Sequence, residues 1–113
     1  MMTIFHNSRC PYSREALYKV ETVCASKDLL MEIIDYQLTL AQLRSLQKKL
    51  GKSAAKIIRI KDPKYIKMKL SEAKNTVMLQ AIVDHPHLLQ RPIVAYQNRA
   101  VMARPADLVE TLF

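Results

Sequence analysis

The sequence has one glycine and two cysteines in 113 residues, and it contains no long apolar run. No stretch approaches the roughly 18 consecutive apolar residues of a membrane-spanning helix, so we expect no such helix. The N-terminal residues lack the charged-then-apolar pattern of a signal peptide, and we therefore expect a cytoplasmic protein. A chain of this length buries enough surface to fold as one domain, residues 1–113, without metal or disulfide staples.

The two cysteines, Cys10 and Cys24, are too far apart in sequence to form a C-x-x-C pair. They also make no metal-ligand set with the histidines, so we expect no metal and no bound cofactor. In a cytoplasmic protein both thiols are expected to be reduced. Cys24 follows the apolar spacing of its helix and is predicted to lie in the core.

Positive charge is in excess, with a formal net charge of +8. It is compatible with a nucleic acid, another anionic partner, a small oxyanion substrate or a merely solvated basic face. The lysines gather in residues 48–74 without interleaved aromatics, unlike the pattern of a single-strand nucleic-acid binder. We therefore do not expect nucleic acid to be the partner, although charge alone does not choose among the others.

The N-terminal third reads as strand, helix and strand. Residues 3–5 and 31–35 have the short apolar character of strands. Between them, apolar residues recur at helical spacing, and Ser13 is predicted to cap a helix that begins near Arg14.

The middle of the chain reads as helical. Thr39 and Gln42 form a capping box, and Gly51 is placed to end the helix that follows. Shorter helices are predicted over residues 53–59, 65–70 and 76–83. The predicted helical insert covers about residues 39–85.

The C-terminal part reads as a hairpin and a last helix. Residues 91–96 and 100–102 form the predicted strands, and Pro105 suits the first turn of a helix over residues 106–112. The full order, β-α-β, helical insert, β-β-α, predicts an α/β thioredoxin-like fold. In that order Pro92 is the expected cis-proline, placed before the third strand and facing Cys10.

Cys10 stands where the first strand runs into the first helix. The unpaired N–H groups and the dipole of a helix start attract anions, and a thiol there ionises more readily. His6, Arg9 and Arg14 are placed to strengthen this effect, which would prepare a nucleophile. The alternative is that Cys10 is a small buried hydrophobe.

Three arginines stand at the ends of predicted elements: Arg59, Arg91 and Arg104. If the sheet brings these ends near Cys10, their guanidinium groups face one sulfur. Arginine suits a forked grip on a tetrahedral oxyanion. Each of them taken alone also reads as an ordinary surface charge.

Four motifs resemble one known family. They are HNSRCPYSR (6–14), AAKIIR (54–59) with Tyr65 soon after, HPHLLQRPIV (85–94) and VMARP (101–105). In this order and spacing the chain resembles the glutaredoxin-dependent arsenate reductases, the ArsC-like branch of the thioredoxin fold. Pro11 and Tyr12 differ from the family pattern and resemble the C-P-Y-C of glutaredoxins, with Ser13 in place of the second cysteine.

The resemblance implies a role for each matching residue. Cys10 would be the nucleophile that attacks arsenic, and His6 and Ser13 would tune its ionisation, with Arg14 beside them. The implied oxyanion ligands are Arg59, Arg91 and Arg104. Glutathione would attack the cysteine-bound arsenic as co-substrate, glutaredoxin would help resolve the mixed disulfide, and arsenite would leave.

Two other interpretations stay open. The Spx regulators share the fold and bind RNA polymerase, but they usually carry C-x-x-C where this chain has Cys10 and Ser13. A thiol oxidoreductase of the same family with a different substrate fits the same residues.

Overall fold

The computed structural model describes all residues from 1 to 113, and the chain divides into two compact units. The first unit combines residues 1–35 with residues 91–113, and the second comprises residues 36–90. The second unit corresponds to the predicted helical insert and extends past its expected ends.

The first unit is built on a four-stranded mixed sheet. The strands, in the spatial order β2-β1-β3-β4, are β1 (Met2–Phe5), β2 (Met31–Ile34), β3 (Ile93–Tyr96) and β4 (Arg99–Met102). β1 pairs in parallel with β2 and antiparallel with β3, and β3 and β4 form a hairpin. This confirms the predicted α/β order, although β2 ends one residue before the expected Asp35.

Helix α1 (Pro11–Lys27) and a 3₁₀ helix (Ala106–Leu112) pack with this sheet. Their buried apolar residues join those of β1 and β3 in one core, and Cys24, 5% exposed, belongs to it as predicted. The last helix is 3₁₀, and Pro105 is its N-cap residue instead of lying in its first turn.

The predicted start of α1 was wrong. The helix begins at Pro11, with Cys10 as the N-cap residue, and not near Arg14. Proline suits the first helical position because its fixed φ is helical and the N–H it lacks would have no partner there. Ser13 therefore lies inside the first turn, where its hydroxyl is free to bond elsewhere.

In the second unit, α2 (Leu40–Leu50) has the predicted ends. Thr39 and Gln42 form both hydrogen bonds of the capping box. Gly51 ends the helix with φ 66°, a left-handed conformation that glycine adopts without strain.

The remaining helices of this unit are short. They are α3 (Ala54–Ile57), α4 (Pro63–Lys67), α5 (Asn75–Asp84) and the 3₁₀ turns Leu70–Glu72 and Pro86–Leu88. The helix predicted over residues 65–70 starts earlier and is split in two. Asp62 caps it by accepting a 2.9 Å hydrogen bond from Lys64 N, which places Pro63 at the first helical position.

The excess charge belongs entirely to the second unit. That unit holds eleven lysines and arginines against three acidic residues, whereas the first unit has seven of each sign. None of the helices has both the length and the apolar content that crossing a membrane requires.

Candidate active site

Cys10 lies between β1 and α1, with an extended backbone (φ −96°, ψ 123°) that ends at the first helical residue. Its N–H donates to Asn7 O at 3.0 Å, which closes a tight turn before the helix. The Cys10 side chain makes no capping hydrogen bond, and it is partly exposed. Its sulfur therefore stands at the positive end of a 17-residue helix and is within reach of solvent.

Arg104 is the cationic residue in contact with this sulfur. Its Nη2 lies 3.7 Å from Cys10 Sγ and also donates to the carbonyl oxygen of Arg91 at 2.7 Å. The same guanidinium lies over the ring of Tyr12, with 4.7 Å between Arg104 Cζ and the ring centroid. Three contacts thus place one charged group beside the thiol.

Arg91 is buried, at 9% exposure, and serves the site through its backbone and side chain. Its Nη1 donates to Ile34 O at 2.8 Å and more weakly to His6 O at 3.4 Å, so it links the ends of β1 and β2. Burial lowers the pKa of Arg91, and the carboxylate of Asp35 opposes that shift. The peptide bond between Arg91 and Pro92 is cis.

His6 and Ser13 form a buried pair next to the turn. His6 Nδ1 and Ser13 Oγ are hydrogen-bonded at 2.6 Å, and Asn7 N donates to the same hydroxyl at 2.9 Å. Burial lowers the pKa of His6, Asp35 works against this, and Arg91 adds to it. A neutral His6 therefore fixes the Ser13 hydroxyl and the Asn7 backbone just before Cys10.

Arg14 contacts the same turn from the helix. Its Nη1 donates to Ser8 O at 3.0 Å, and the residue is exposed. Arg14 also lines a shallow surface groove with three neighbours on α1, namely Pro11, Glu15 and Tyr18. It supports the turn that carries Cys10.

Arg59 belongs to the second unit, where it lies two positions after the end of α3. Its N–H donates to Leu88 O at 2.7 Å, and the residue is exposed. Its expected part in oxyanion binding stays a prediction. All other predicted site residues belong to the first unit.

Tyr12 and Asn7 take part in this site, although the sequence analysis named neither of them as a site residue. Asn7 supplies the carbonyl that receives Cys10 N–H, and its side chain accepts from Arg9 N at 3.1 Å. An asparagine in a turn before a helix is a usable sequence signal. The contact of Arg104 with Tyr12 joins the two ends of the chain and has no local signal.

This arrangement places a nucleophilic side chain at a helix start, within reach of solvent and beside a cation. A partly exposed sulfur at a helix start, beside an arginine, suits nucleophilic attack on an anionic group. Nowhere in the structure do three or more histidine, cysteine or acidic side chains form a group suited to a metal ion.

The sheet order and the lone cysteine at the start of α1 define a thioredoxin-like α/β protein. The model of the ArsC family matches residues 5–112, and the chain belongs to that family. The solved structure of an arsenate reductase from Vibrio cholerae superposes with a TM-score of 0.87 at 25% identity, over 99% of this chain and 97% of that one. A solved structure from Yersinia pestis gives a TM-score of 0.86 at 32% identity, over 98% and 99% of the two chains.

A curated relative agrees with this assignment. The arsenate reductase of Neisseria meningitidis serogroup A is 36% identical over 115 aligned positions, which cover 96% of this chain and 95% of the relative. The likeness therefore extends over nearly the whole of both chains.

Proposed function

We propose that this protein is an arsenate reductase of the glutathione and glutaredoxin type, with Cys10 as its nucleophile, acting in the cytoplasm. The observation that carries the proposal is the 3.7 Å contact between Arg104 Nη2 and Cys10 Sγ at the start of α1. Relatives named arsenate reductase, aligned over nearly the whole chain, support arsenate as the substrate.

In the first step, the Cys10 thiolate attacks the arsenic of arsenate. A sulfur–arsenic bond forms, one arsenic–oxygen bond breaks, and the leaving oxygen departs as water after protonation. Arsenic stays in the +5 state. Two anions repel each other during this attack, and fixed cationic groups aimed at the arsenate oxygens offset that repulsion in the transition state.

Arg104 is the best-placed group for this task. It is exposed, and Nη2 already faces the sulfur, so its remaining N–H groups are available to an oxyanion. Arg91 and Arg59 complete the proposed oxyanion set, as the family motifs imply.

In the second step, a thiol from outside reduces arsenic. Glutathione attacks the cysteine-bound arsenic, so a second sulfur–arsenic bond forms and a second arsenic–oxygen bond breaks, with its oxygen leaving as water. A disulfide then forms between Cys10 Sγ and the glutathione sulfur while both sulfur–arsenic bonds break, and one electron pair stays on arsenic, which is reduced to the +3 state. Arsenite leaves, and glutaredoxin reduces the remaining mixed disulfide. An external thiol is needed because Cys24 is buried and burial raises its pKa, so it is a poor internal partner.

A coupled assay tests this proposal. Purified protein, arsenate, glutathione, glutaredoxin and glutathione reductase are mixed, and NADPH consumption is followed. We expect arsenate-dependent consumption that disappears when either arsenate or glutaredoxin is omitted. If NADPH is consumed at the same rate without arsenate, the substrate assignment is wrong. If it is consumed at the same rate without glutaredoxin, the reductant assignment is wrong.

A second candidate function is a regulatory binding module, as in the Spx branch of the fold. The observation that favours it is the placement of the whole net charge on the second unit, because the first unit is neutral by count. An excess of positive charge within one unit attracts an anionic macromolecule. RNA polymerase is the partner implied by that branch.

Binding to purified RNA polymerase, measured at low and at high salt, tests the second candidate. Salt-sensitive binding that survives Cys10→Ser would support it. Absence of binding by the intact protein at low salt would remove it.

A further inference from the structure

Tyr12 has an exposed ring in contact with an arginine. The residue is 53% exposed, and Arg104 Cζ lies 4.7 Å from its ring centroid. Its hydroxyl makes no hydrogen bond in the structure. We propose that Tyr12 is a positioning residue, whose aromatic face holds the Arg104 guanidinium beside Cys10.

Arg104 is an exposed residue whose side chain needs other groups to hold it in place. An exposed arginine side chain is free to adopt many rotamers, and ordering it costs conformational entropy. The hydrogen bond from Nη2 to Arg91 O fixes one atom of the guanidinium but leaves the plane free to turn about it. The Tyr12 ring below Arg104 Cζ restricts that freedom, because an aromatic face attracts a guanidinium cation.

The location of Tyr12 matters as much as its chemistry. It is the second residue of α1, two positions after Cys10, so ring and sulfur are carried by the same helix start. Arg104 follows β4 and is 94 positions from Cys10 in the sequence. The contact therefore couples the position of Arg104 to the element that holds Cys10.

The inference rests on the proposed function only in assuming that the Arg104 guanidinium binds arsenate. The positioning itself is testable through the charge felt at Cys10. Iodoacetate and iodoacetamide both alkylate the thiolate, but only iodoacetate is an anion. We take the rate constant for iodoacetate at Cys10 divided by the rate constant for iodoacetamide. The ionised fraction of the thiol cancels in this ratio, and a higher ratio means a more positive potential at Cys10.

We expect Tyr12→Leu to lower that ratio by about two- to fivefold, the worth of one exposed cation–aromatic contact. Tyr12→Phe keeps the ring and should leave the ratio unchanged. Tyr18→Leu is the matched control, because Tyr18 is another exposed tyrosine of α1 and has no arginine on its ring. It should also leave the ratio unchanged.

A double-mutant comparison separates positioning from a merely structural role. Arg104→Ala should lower the ratio at least as much as Tyr12→Leu does. In the Arg104→Ala background, Tyr12→Leu should have no further effect, because the ring then has no guanidinium to hold. Circular dichroism of each variant checks that the fold is intact.

Two results would overturn the inference. One is an unchanged ratio in Tyr12→Leu, and the other is the same loss from Tyr12→Leu with and without Arg104. A wild-type protein without arsenate turnover would end the proposed function and still leave this ratio measurable, so the two failures are distinguishable.

Discussion

Arg104 Nη2 lies 3.7 Å from Cys10 Sγ, although 94 positions separate the two residues. The sheet creates this contact. Cys10 follows β1 and Arg104 follows β4, and β3 pairs antiparallel with both strands. β1 and β4 therefore run in the same direction, and the residues that follow them leave the sheet at the same end of the strands. There the Cys10 thiol contacts the Arg104 guanidinium.

Substitutions at the two cysteines should have very different effects on arsenate reduction. We expect Cys10→Ser to abolish arsenate reduction, because the hydroxyl does not replace a thiolate nucleophile. Cys24→Ala should retain it, since Cys24 is buried in the core of the first unit. The coupled assay provides the measurement, and equal losses in the two variants would contradict a single nucleophile.

Much of this fold could be predicted from the sequence because its signals are local. The Thr39 capping box, the Gly51 helix end and the short apolar strands are each encoded within a few residues. The start of α1 was mispredicted because two local signals compete there. Ser13 is a good capping residue, but Pro11 fits the first helical position, and the Ser13 hydroxyl bonds to His6 and Asn7 instead.

Arg91→Ala should destabilise the protein as well as weaken oxyanion binding. The buried guanidinium donates to Ile34 O and His6 O, and its loss deprives these carbonyls of a donor. We expect the free energy of unfolding to fall by about 1–3 kcal/mol. Urea denaturation measures the stability, and calorimetry with arsenate or sulfate measures the binding.

Arg99→Ala is the control for that loss, because Arg99 is an exposed residue of β4. Its effect should stay within about 0.5 kcal/mol. If Arg91→Ala were as stable as Arg99→Ala, the hydrogen bonds from Arg91 to the ends of β1 and β2 would contribute nothing to stability. Unchanged oxyanion binding would remove Arg91 from the proposed oxyanion set.

His6 should make stability depend on pH. Burial lowers its pKa from the ordinary value of 6.5, against the pull of Asp35 and with help from Arg91 and Arg14. Below pH 6.5 the unfolded chain binds a proton that the folded chain resists, so stability falls as the pH drops towards the folded pKa. This contribution is complete above pH 6.5 and is lost only on the acid side.

The variant His6→Asn isolates that contribution. Asparagine keeps a polar atom near Nδ1 but does not titrate. We expect urea denaturation at pH 7.5, 6.5 and 5.5 to show that the free energy of unfolding falls more steeply with decreasing pH in the wild type than in His6→Asn. The difference in slope should be at most about 1.4 kcal/mol per pH unit. Parallel pH profiles for the two proteins would contradict the role assigned to the buried histidine.

The site itself was only partly predictable. Cys10, His6 and Ser13 lie within one short motif, and their proximity follows from the strand-to-helix junction. The contacts of Arg104 with Cys10 and Tyr12 depend on how β1, β3 and β4 pair, which no local pattern specifies. Long-range contacts of this kind are the part of the site that needed the structure.

The central claim, that Cys10 is the nucleophile, is tested most directly by detecting the glutathione that becomes bonded to the protein. The wild type is incubated with glutathione and arsenate, without glutaredoxin, and then analysed by intact mass and peptide mapping. We predict one glutathione per chain, bonded to Cys10 and formed only when arsenate is present. An adduct that forms equally without arsenate, that sits on Cys24, or that never forms would contradict this claim.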